Sequence, residues 1–407
     1  MYDAIIVGAG AAGMMCAITA ARLCVKVALI EKNDRAGKKL AITGKGRCNV
    51  TNNSDNETIL KNIPRNPRFM YSALSQFSSA DVMDFFEGLG VPLKTERGNR
   101  VFPVSDKAGD IVSALTRELK KLNVDIIRDN VTALILENGS CVGVKTKKTE
   151  YRAGAVVLAT GGRSYPLTGS DGFGYTLAKR AGHTIIQPEP SLSAMETKEG
   201  WVAEAAGLDL RNISMKLYDR QKCIYEDFGE LMFMAYGISG PTVLSASAHI
   251  DKMEHERYSV RIDLKPALSE KQLDARILRD FAERSGSRFR DSLRGLLPAQ
   301  LVSPVVELSG IDPEKRVDEI SKAERKKLGE TLKSLTLNIT KFRPIDEAII
   351  TRGGVSVKEI SPKTMESRLC PRLFFAGEII DCDAYTGGFN LQIAFSTGYA
   401  AGISLTM

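Results

Sequence analysis

The N-terminal thirty-one residues constrain the fold most, because they carry a glycine motif between two apolar runs. Ala4 to Val7 predict a short buried parallel strand. Gly8-x-Gly10-x-x-Gly13 follows and opens a small-residue segment, Ala11 to Leu23, that predicts a helix. A second apolar run ends at Glu31. Strand, glycine turn, helix and strand in this order indicate the βαβ unit of a Rossmann-like dinucleotide-binding domain.

Each position of the motif has a physical role. Gly8 permits the tight turn, Gly10 lets the backbone approach a pyrophosphate, and Gly13 lets helix and strand pack closely. The phosphates are expected at the helix N-terminus, where unpaired N–H groups and the helix dipole favour anions. Glu31 ends the second strand, where a carboxylate can accept hydrogen bonds from an adenosine ribose.

Composition narrows the class of protein. A chain of 407 residues suggests two or three domains. A net charge of +7, with cations and acids interleaved, gives no reason to expect a nucleic-acid partner. Seven scattered cysteines without a C-x-x-C pair favour a reduced cytoplasm and argue against a metal site. The uncharged start lacks a cationic leader and holds several glycines, so we expect neither a signal peptide nor a membrane helix, and we predict a cytoplasmic protein without membrane contact.

Two further glycine-rich regions distinguish FAD from NAD, for which the opening motif would suffice. A strand pattern, Tyr151 to Leu158, runs into Thr160-Gly161-Gly162, as a second backbone approach to a cofactor requires. Near the C-terminus, Gly377-Glu378 follows a strand, and Gly387-Gly388 opens a helix. A carboxylate here can bind ribityl hydroxyls, and a helix N-terminus can stabilise negative charge on the reduced flavin. FAD is therefore favoured.

The middle of the chain has a different character. Pro67 to Gly90 has helical periodicity. From Pro188 to Leu264, short strand patterns suggest an antiparallel β unit, with a turn at Tyr236 to Pro241. Ser269 to Ser334 is helical and highly charged, and small residues and strands return at Thr351. The FAD-binding domain is therefore expected to carry an insert.

Several motifs together resemble a known family. They are Gly37-Lys38-Lys39, Thr43-Gly44-Lys45-Gly46-Arg47-Cys48-Asn49, Gly237-Ile238-Ser239-Gly240-Pro241, Thr364-Met365-Glu366-Ser367, and Gly377-Glu378 through Gly388-Phe389-Asn390-Leu391-Gln392. Over essentially its whole length, the chain resembles the bacterial FAD-dependent flavoproteins that include aminoacetone oxidase and the 3-dehydro-bile-acid reductases. The resemblance implies an α/β protein (α+β overall) whose Rossmann-like FAD-binding domain is interrupted by a β-barrel and a helical subdomain. The expected segments are 1–190 and 345–407 for the FAD-binding domain, 191–266 for the barrel, and 267–344 for the helices, which return through the barrel near their end.

The predicted FAD-binding residues combine the motifs with this resemblance. They are Gly8, Gly10, Ala11, Ala12, Gly13, Glu31, Lys32, Lys39, Thr43, Gly44, Arg47, Cys48, Asn49, Val131, Thr160, Gly161, Gly162, Gly377, Glu378, Asp381, Gly387, Gly388, Phe389, Asn390, Leu391 and Gln392. An alternative interpretation of the cation-rich segment from Lys32 to Asn52 is a solvated loop without a ligand. The alternative for Cys48 is a packed thiol.

Three functional hypotheses share this FAD site. The leading one is an oxidoreductase that transfers hydride between flavin and a small organic substrate, by enone reduction or amine oxidation. Tyr236, Ser239, Tyr385 and Arg47 are its candidates for substrate contact. The alternatives are a tRNA-modifying flavoprotein and a flavin-binding sensor without turnover. A second complete G-x-G-x-x-G unit is missing from the sequence, so NAD(P)H is expected at most as a transient donor; the oligomeric state stays open.

Overall fold

The computed structural model describes residues 1–406 and divides into two compact units. The first is Met1–Ser191 together with the chain from Pro344 onward, and the second is Leu192–Arg343. The first contains a Rossmann-like sheet and the second a closed antiparallel barrel, which confirms the predicted fold class. The boundary between barrel and helical subdomain at residues 266 and 267 stays a prediction.

The strands and helices are numbered here in chain order within residues 1–406. Strands β1 to β18 are Tyr2–Val7, Val27–Glu31, Thr51–Asn52, Leu93–Glu96, Arg100–Pro103, Asp125–Arg128, Val131–Glu137, Ser140–Thr146, Glu150–Leu158, Ile185–Ser191, Met195–Thr197, Asp209–Asp219, Lys222–Met234, Gly237–Ser239, Tyr258–Asp263, Leu335–Phe342, Ile350–Val355 and Leu373–Phe375. Helices α1 to α13 are Ala11–Arg22, Lys38–Ile42, Asn56–Lys61, Pro67–Gln76, Ser79–Gly88, Ala108–Lys121, Phe173–Arg180, Pro241–Ser247, Glu270–Glu283, Phe289–Ser292, Ala299–Ser309, Lys322–Lys333 and Phe389–Ser404.

A parallel core runs through the sheet of the first unit in the order β6-β2-β1-β9-β18. Val7 pairs with both Ile30 and Leu158, and Phe375 also pairs with Leu158. These strands therefore end at one edge of the sheet. Their successors, including Gly8 and Ala376, lie at this carboxyl edge, where ligands bind in open α/β sheets. The strands β7 and β8 join β9 as an antiparallel extension.

A closed barrel with the order β11-β14-β13-β12-β15-β16 forms the sheet of the second unit. Its buried residues include Phe233, Ile262 and Leu337. The turn predicted from Tyr236 to Pro241 is wrong in part, because Gly237–Ser239 is strand β14. Ile238 pairs with Met195 on one side and with Phe233 on the other, and such partners cannot be read from a three-residue segment.

The helical stretch predicted from Pro67 to Gly90 is interrupted, because α4 ends at Gln76 and α5 begins at Ser79. Ser78 forms a capping box with Asp81, in which its side chain accepts the Asp81 N–H and the Asp81 carboxylate accepts the Ser78 N–H. The cap starts a new helix where the apolar spacing alone continues. None of the helices in the described 406 residues is long and apolar enough to cross a bilayer.

Candidate functional site

A cavity, partly open to solvent, lies in the first unit at the carboxyl edge of the parallel strands. Its wall combines residues that follow β1, β2, β9 and β18 with residues at the start of α13. The predicted FAD-binding residues in this wall are Gly8, Gly10, Ala11, Ala12, Glu31, Lys32, Lys39, Thr43, Val131, Thr160, Gly161, Gly377, Glu378, Asn390 and Leu391. The fold thus brings distant motifs around one space.

The opening glycine motif contributes Gly8 and Gly10 to the cavity wall. Gly8 has a φ of +102°, and a Cβ there would lie 2.6 Å from the Ala159 carbonyl oxygen, so a larger residue would be strained and would clash. A Cβ at Gly13 would collide with the Gly8 carbonyl oxygen. Apart from its chain neighbours, a Cβ at Gly10 would meet no atom of the described residues within 4 Å, so this position faces open space. That space adjoins the N-terminus of α1, as a pyrophosphate site requires.

Glu31 is buried at the end of β2 and organises the glycine turn as well as facing the cavity. Its Oε2 accepts the Ala9 N–H at 2.8 Å. Its Oε1 accepts the backbone and side-chain N–H groups of Asn33, each at 2.8 Å. A carboxylate has about four lone-pair sites, and three donors leave one for a ligand.

Glu378 and Lys39 form an ion pair in the same wall. Lys39 Nζ lies 2.7 Å from Glu378 Oε2 and 2.6 Å from Ser164 Oγ. Glu378 Oε1 accepts the Thr351 N–H at 2.9 Å and the Ser164 hydroxyl at 3.1 Å. Gly162 packs against this pair, since a Cβ there would lie 2.7 Å from Glu378 Oε1. The carboxylate is therefore held rigidly beside the cavity.

Two buried hydroxyl oxygens of the wall, Thr160 Oγ1 and Ser170 Oγ, make no hydrogen bond with any residue that the structure describes. Buried polar atoms are normally paired, so these two favour a polar ligand in the cavity. These two hydroxyl groups, the open space at Gly10 and the carboxylates of Glu31 and Glu378 together fit the hydroxyl and phosphate groups of FAD.

The N-terminus of α13 also lines the cavity, through Asn390 and Leu391. Its N-cap residue Gly388 has a φ of +100°, and a Cβ there would overlap the Thr51 carbonyl oxygen. The cap offers no side-chain acceptor, so first-turn N–H groups are left for other partners. Asn390 lines the cavity and holds the preceding loop, since its side chain bonds to the Ala384 N–H at 2.9 Å and the Ala384 carbonyl at 2.7 Å.

The remaining predicted FAD-binding residues do not line the cavity. They are Gly13, Gly44, Arg47, Cys48, Asn49, Gly162, Asp381, Gly387, Gly388, Phe389 and Gln392. Most of them support the wall: Gln392, for example, is fully buried and bonds to Thr51, Phe77 and Ser396. Cys48 is a packed thiol, and burial raises its pKa to about 12. Direct contact of both groups with FAD stays a prediction.

The four candidates for substrate contact have distinct surroundings. Arg47 is half-buried, donates to Asp106 Oδ1 at 2.8 Å, bonds to Glu96, and stacks over Phe102. Its pKa is raised by the bonds to Glu96 and Asp106. This pairing suits it to fixing the loop from Thr43 to Asn49.

Of the other candidates, Tyr385 is half-buried in the first unit, in the loop that Asn390 holds. Tyr236 and Ser239 belong to the second unit. The Tyr236 ring lies under the Arg343 guanidinium at 4.3 Å, and Ser239 pairs with Met232.

Several residues of the cavity wall were missed by sequence reasoning. Asp129 and Asn130 precede Val131, and Thr168, Ser170 and Asp171 lie in a loop after Gly162. The Asp171 carboxylate lies 2.8 Å from Lys32 Nζ, and Asn33 Nδ2 donates to the Thr168 carbonyl at 3.0 Å. The glycines and Ser-Asp of Gly169 to Gly174 were the available signal for this loop.

Comparisons with known proteins identify the family. Residues 2–404 match the model of the HI0933-like protein Rossmann domain family. The 3-dehydro-bile acid delta(4,6)-reductase of Clostridium scindens is 34% identical over 402 residues, which cover 98% of this chain and 97% of that protein. The ribosomal RNA dihydrouridine synthase of Haemophilus influenzae is 30% identical over 99% of this chain and 98% of its own.

A solved structure has a similar fold across the whole chain. The 3-ketosteroid-delta4-(5alpha)-dehydrogenase of Rhodococcus jostii, in complex with 4-androstene-3,17-dione, superposes with a TM-score of 0.54 at 16% identity, covering 100% of this chain and 97% of that one. The family model, the full-length relatives and the fold agree. The chain therefore belongs to the HI0933-like protein Rossmann domain family of FAD-dependent oxidoreductases.

Proposed function

We propose that this protein uses FAD to reduce a carbon–carbon double bond conjugated with a carbonyl group in a small organic substrate. The observation that carries the proposal is the full-length likeness to the Clostridium scindens reductase, whose name places its double bonds beside a 3-oxo group. The cavity supports it, because its wall combines the carboxylates of Glu31 and Glu378 with the N-termini of α1 and α13, as a flavin dinucleotide site requires.

The residues of the cavity wall have expected roles in binding FAD. The turn from Gly8 to Gly10 and the N-terminus of α1 would hold the pyrophosphate, and Glu31 one ribose hydroxyl. Lys39 and Glu378 would hold the ribityl chain. The N-terminus of α13 would lie at the pyrimidine end of the ring. Bound FAD, once reduced, supplies the hydride for the reaction. NAD(P)H is the proposed transient donor that reduces it.

Reduction of a conjugated double bond also needs a proton at the carbon next to the carbonyl. Tyr385 is the proposed donor, because its phenol is half-buried in the loop that Asn390 ties to the cavity wall. Burial, and after it the charge of Asp383, raises the pKa of Tyr385, so the phenol holds its proton at neutral pH. Substrate contact by Tyr236 and Ser239 of the second unit stays a prediction from the sequence.

A ribosomal RNA dihydrouridine synthase is the second candidate, favoured by the relative from Haemophilus influenzae. The 5,6 double bond of uracil is also conjugated with a carbonyl, so the same hydride and proton would saturate it. The two candidates differ in the size and charge of the substrate. An RNA substrate predicts salt-sensitive binding, because released counterions drive association with phosphates.

One experiment separates these candidates. Protein with its flavin reduced under anaerobic conditions is mixed in separate reactions with a 3-oxo steroid bearing conjugated double bonds and with ribosomal RNA lacking dihydrouridine. Protein with oxidised flavin is mixed anaerobically with an amine. The proposal expects rapid flavin reoxidation and a gain of two hydrogens only with the steroid. Reoxidation only with RNA would establish the second candidate, and bleaching of oxidised flavin by the amine would favour amine oxidation. Flavin that no donor reduces would indicate a sensor.

A further inference from the structure

Ser164 is a fully buried serine that bridges the two charged groups of the Lys39–Glu378 pair. Its Oγ accepts a hydrogen bond from Lys39 Nζ at 2.6 Å. Its hydroxyl proton has two acceptors in reach, Glu378 Oε1 at 3.1 Å and the Ile349 carbonyl at 3.4 Å, and the carboxylate is the nearer. The ammonium, the hydroxyl group and the carboxylate therefore form a closed ring of three polar groups, in which the serine fixes the direction of both charges.

Thr351 of β17 holds the serine and the carboxylate in place. Its Oγ1 accepts the backbone N–H groups of Arg163 at 2.8 Å and of Ser164 at 3.1 Å. Its own N–H donates to Glu378 Oε1 at 2.9 Å. Gly162 leaves room for this arrangement, because a Cβ there would lie 2.5 Å from Thr351 Oγ1 and 2.7 Å from Glu378 Oε1. The chain segments that follow β9 and β18 are thereby joined to β17.

The bonds within this group leave the ion pair one donor and one acceptor. An ammonium group has three N–H donors, and within residues 1–406 Lys39 uses two of them, on Glu378 Oε2 and Ser164 Oγ. A carboxylate has about four lone-pair sites, and Glu378 fills three of them, with the ammonium, the serine hydroxyl and the Thr351 N–H. Both side chains line the cavity and keep some exposure, 22% for Lys39 and 13% for Glu378.

A hydroxyl group matches one open donor and one open acceptor better than the other polar groups of a flavin dinucleotide do. Its proton can go to the carboxylate, and its oxygen can accept the third N–H of the ammonium. A phosphate oxygen or a ring carbonyl has no proton to donate, and the carboxylate would also repel a phosphate. The ribityl chain of FAD carries its hydroxyl groups on neighbouring carbons, so it offers this kind of partner.

We propose that Ser164 is a positioning residue that aligns Lys39 and Glu378 to bind one ribityl hydroxyl group of FAD, with the ammonium as donor and the carboxylate as acceptor. The inference rests on the proposed binding of FAD in this cavity. Without the serine hydroxyl, the two charges still attract each other, but the group that sets their angle is lost. The open donor and acceptor then no longer meet at one oxygen, and a hydrogen bond weakens steeply as it bends.

The test measures the affinity of flavin-free protein for FAD and for a set of FAD analogues that each lack one ribityl hydroxyl group. The ratio of the analogue Kd to the FAD Kd reports the contact with that hydroxyl group. In wild type, one analogue should bind at least about tenfold more weakly than FAD, because a hydrogen bond to a charged group is worth about a factor of ten or more. In Ser164→Ala, FAD itself should bind more weakly, and this ratio should fall to within about threefold.

Ser79 provides the matched control for loss of a buried serine hydroxyl. It is buried in the first unit, its hydroxyl donates to the Ser54 carbonyl at 2.7 Å, and it does not line the cavity. Ser79→Ala should lower the melting temperature and leave the wild-type affinity ratio unchanged. A ratio that falls in Ser164→Ala alone therefore reports positioning, since a general loss of stability weakens FAD and its analogues alike.

Thr351 offers a second pair of variants that does not touch the serine. Thr351→Val removes the acceptor of two backbone N–H groups and should lower the affinity ratio as Ser164→Ala does. Thr351→Ser keeps this acceptor and should keep the wild-type ratio. If Ser164→Ala fails to fold, these two variants take its place, and equal ratios in both would overturn the positioning role.

This inference and the proposed function fail in different ways. A wild-type ratio near one for every analogue would overturn the contact with the ribityl chain, and a wild-type ratio retained in folded Ser164→Ala would overturn the role of the serine. Wild type that binds no FAD would refute the cofactor assignment and the proposed function together. The expected ratios in a protein whose reduced flavin no conjugated substrate reoxidises would support the inference and refute the proposed function alone.

Discussion

Glu31→Ala is the substitution whose effect on FAD binding follows most directly from the geometry. The carboxylate already accepts three N–H donors, from Ala9 and twice from Asn33. Its remaining lone-pair site has room for one ribose hydroxyl. A hydrogen bond to a charged group is worth about 1.5–3 kcal/mol, and each 1.4 kcal/mol is about tenfold in affinity. We expect FAD binding to weaken by roughly ten- to a hundredfold.

The assay is fluorescence titration of the flavin-free protein with FAD and, separately, with FMN. FMN lacks the AMP half of FAD and therefore the ribose, so its affinity reports the loosening of the glycine turn around the one remaining phosphate after loss of the Ala9 bond. The difference between the two losses isolates the ribose contact. Asn33→Ala is the matched control, because it removes one partner of the carboxylate and leaves the carboxylate in place. Equal losses for FAD and FMN would refute the ribose contact, and no loss for either would refute the role of Glu31.

Three further predictions concern the same unit. Gly10→Val should fold normally but bind FAD at least about tenfold more weakly than wild type, as measured by the same titration, because its side chain would enter the open space at the N-terminus of α1. Lys39→Met should lower the free energy of unfolding by about 1–3 kcal/mol, since it leaves the Glu378 carboxylate partly buried without its cation. Lys38→Met, which breaks a more exposed pair with Asp34, should change it by less than about 0.5 kcal/mol, and equal effects in denaturant melts would contradict this reasoning. Burial lowers the pKa of His183 below its usual value, despite Glu359, so the unfolded chain takes up the proton first as pH falls below about 6.5. Wild type should therefore lose stability over that range faster than His183→Gln, and parallel curves in pH-dependent melts would show that His183 is not involved.

The parts of the site that the sequence predicted are local in character. The glycine motif and Glu31 lie within one βαβ unit, so their spacing alone determines how they meet. The same kind of pattern predicted the C-terminal part of the site. Gly377 and Glu378 follow a strand, and Gly388 precedes a helix, as the glycines of the N-terminal motif do. The capping residues Ser78 and Asp81 also carried a readable signal, an S-x-x-D spacing that the helical periodicity concealed.

The parts that were missed depend on partners far apart in the chain. Strand β14 exists because β11 and β13 flank it, although its own three residues look like a turn. Arg47 is bound by Glu96 and Asp106, about fifty residues away, and no spacing rule links them. Asp383 looked like any loop acid in sequence, and its burial beside Ser191, Arg65 and Arg352 became visible only in the fold.

The central claim is that FAD bound in this cavity reduces a double bond conjugated with a carbonyl. Its most direct test is an anaerobic titration of the fully reduced, flavin-loaded protein with a 3-oxo steroid that has conjugated double bonds, followed by absorbance and product mass. We expect stoichiometric return of the oxidised flavin spectrum, with one double bond saturated for each flavin reoxidised. A flavin that stays reduced in excess steroid, yet is reoxidised at once by dioxygen, would contradict it.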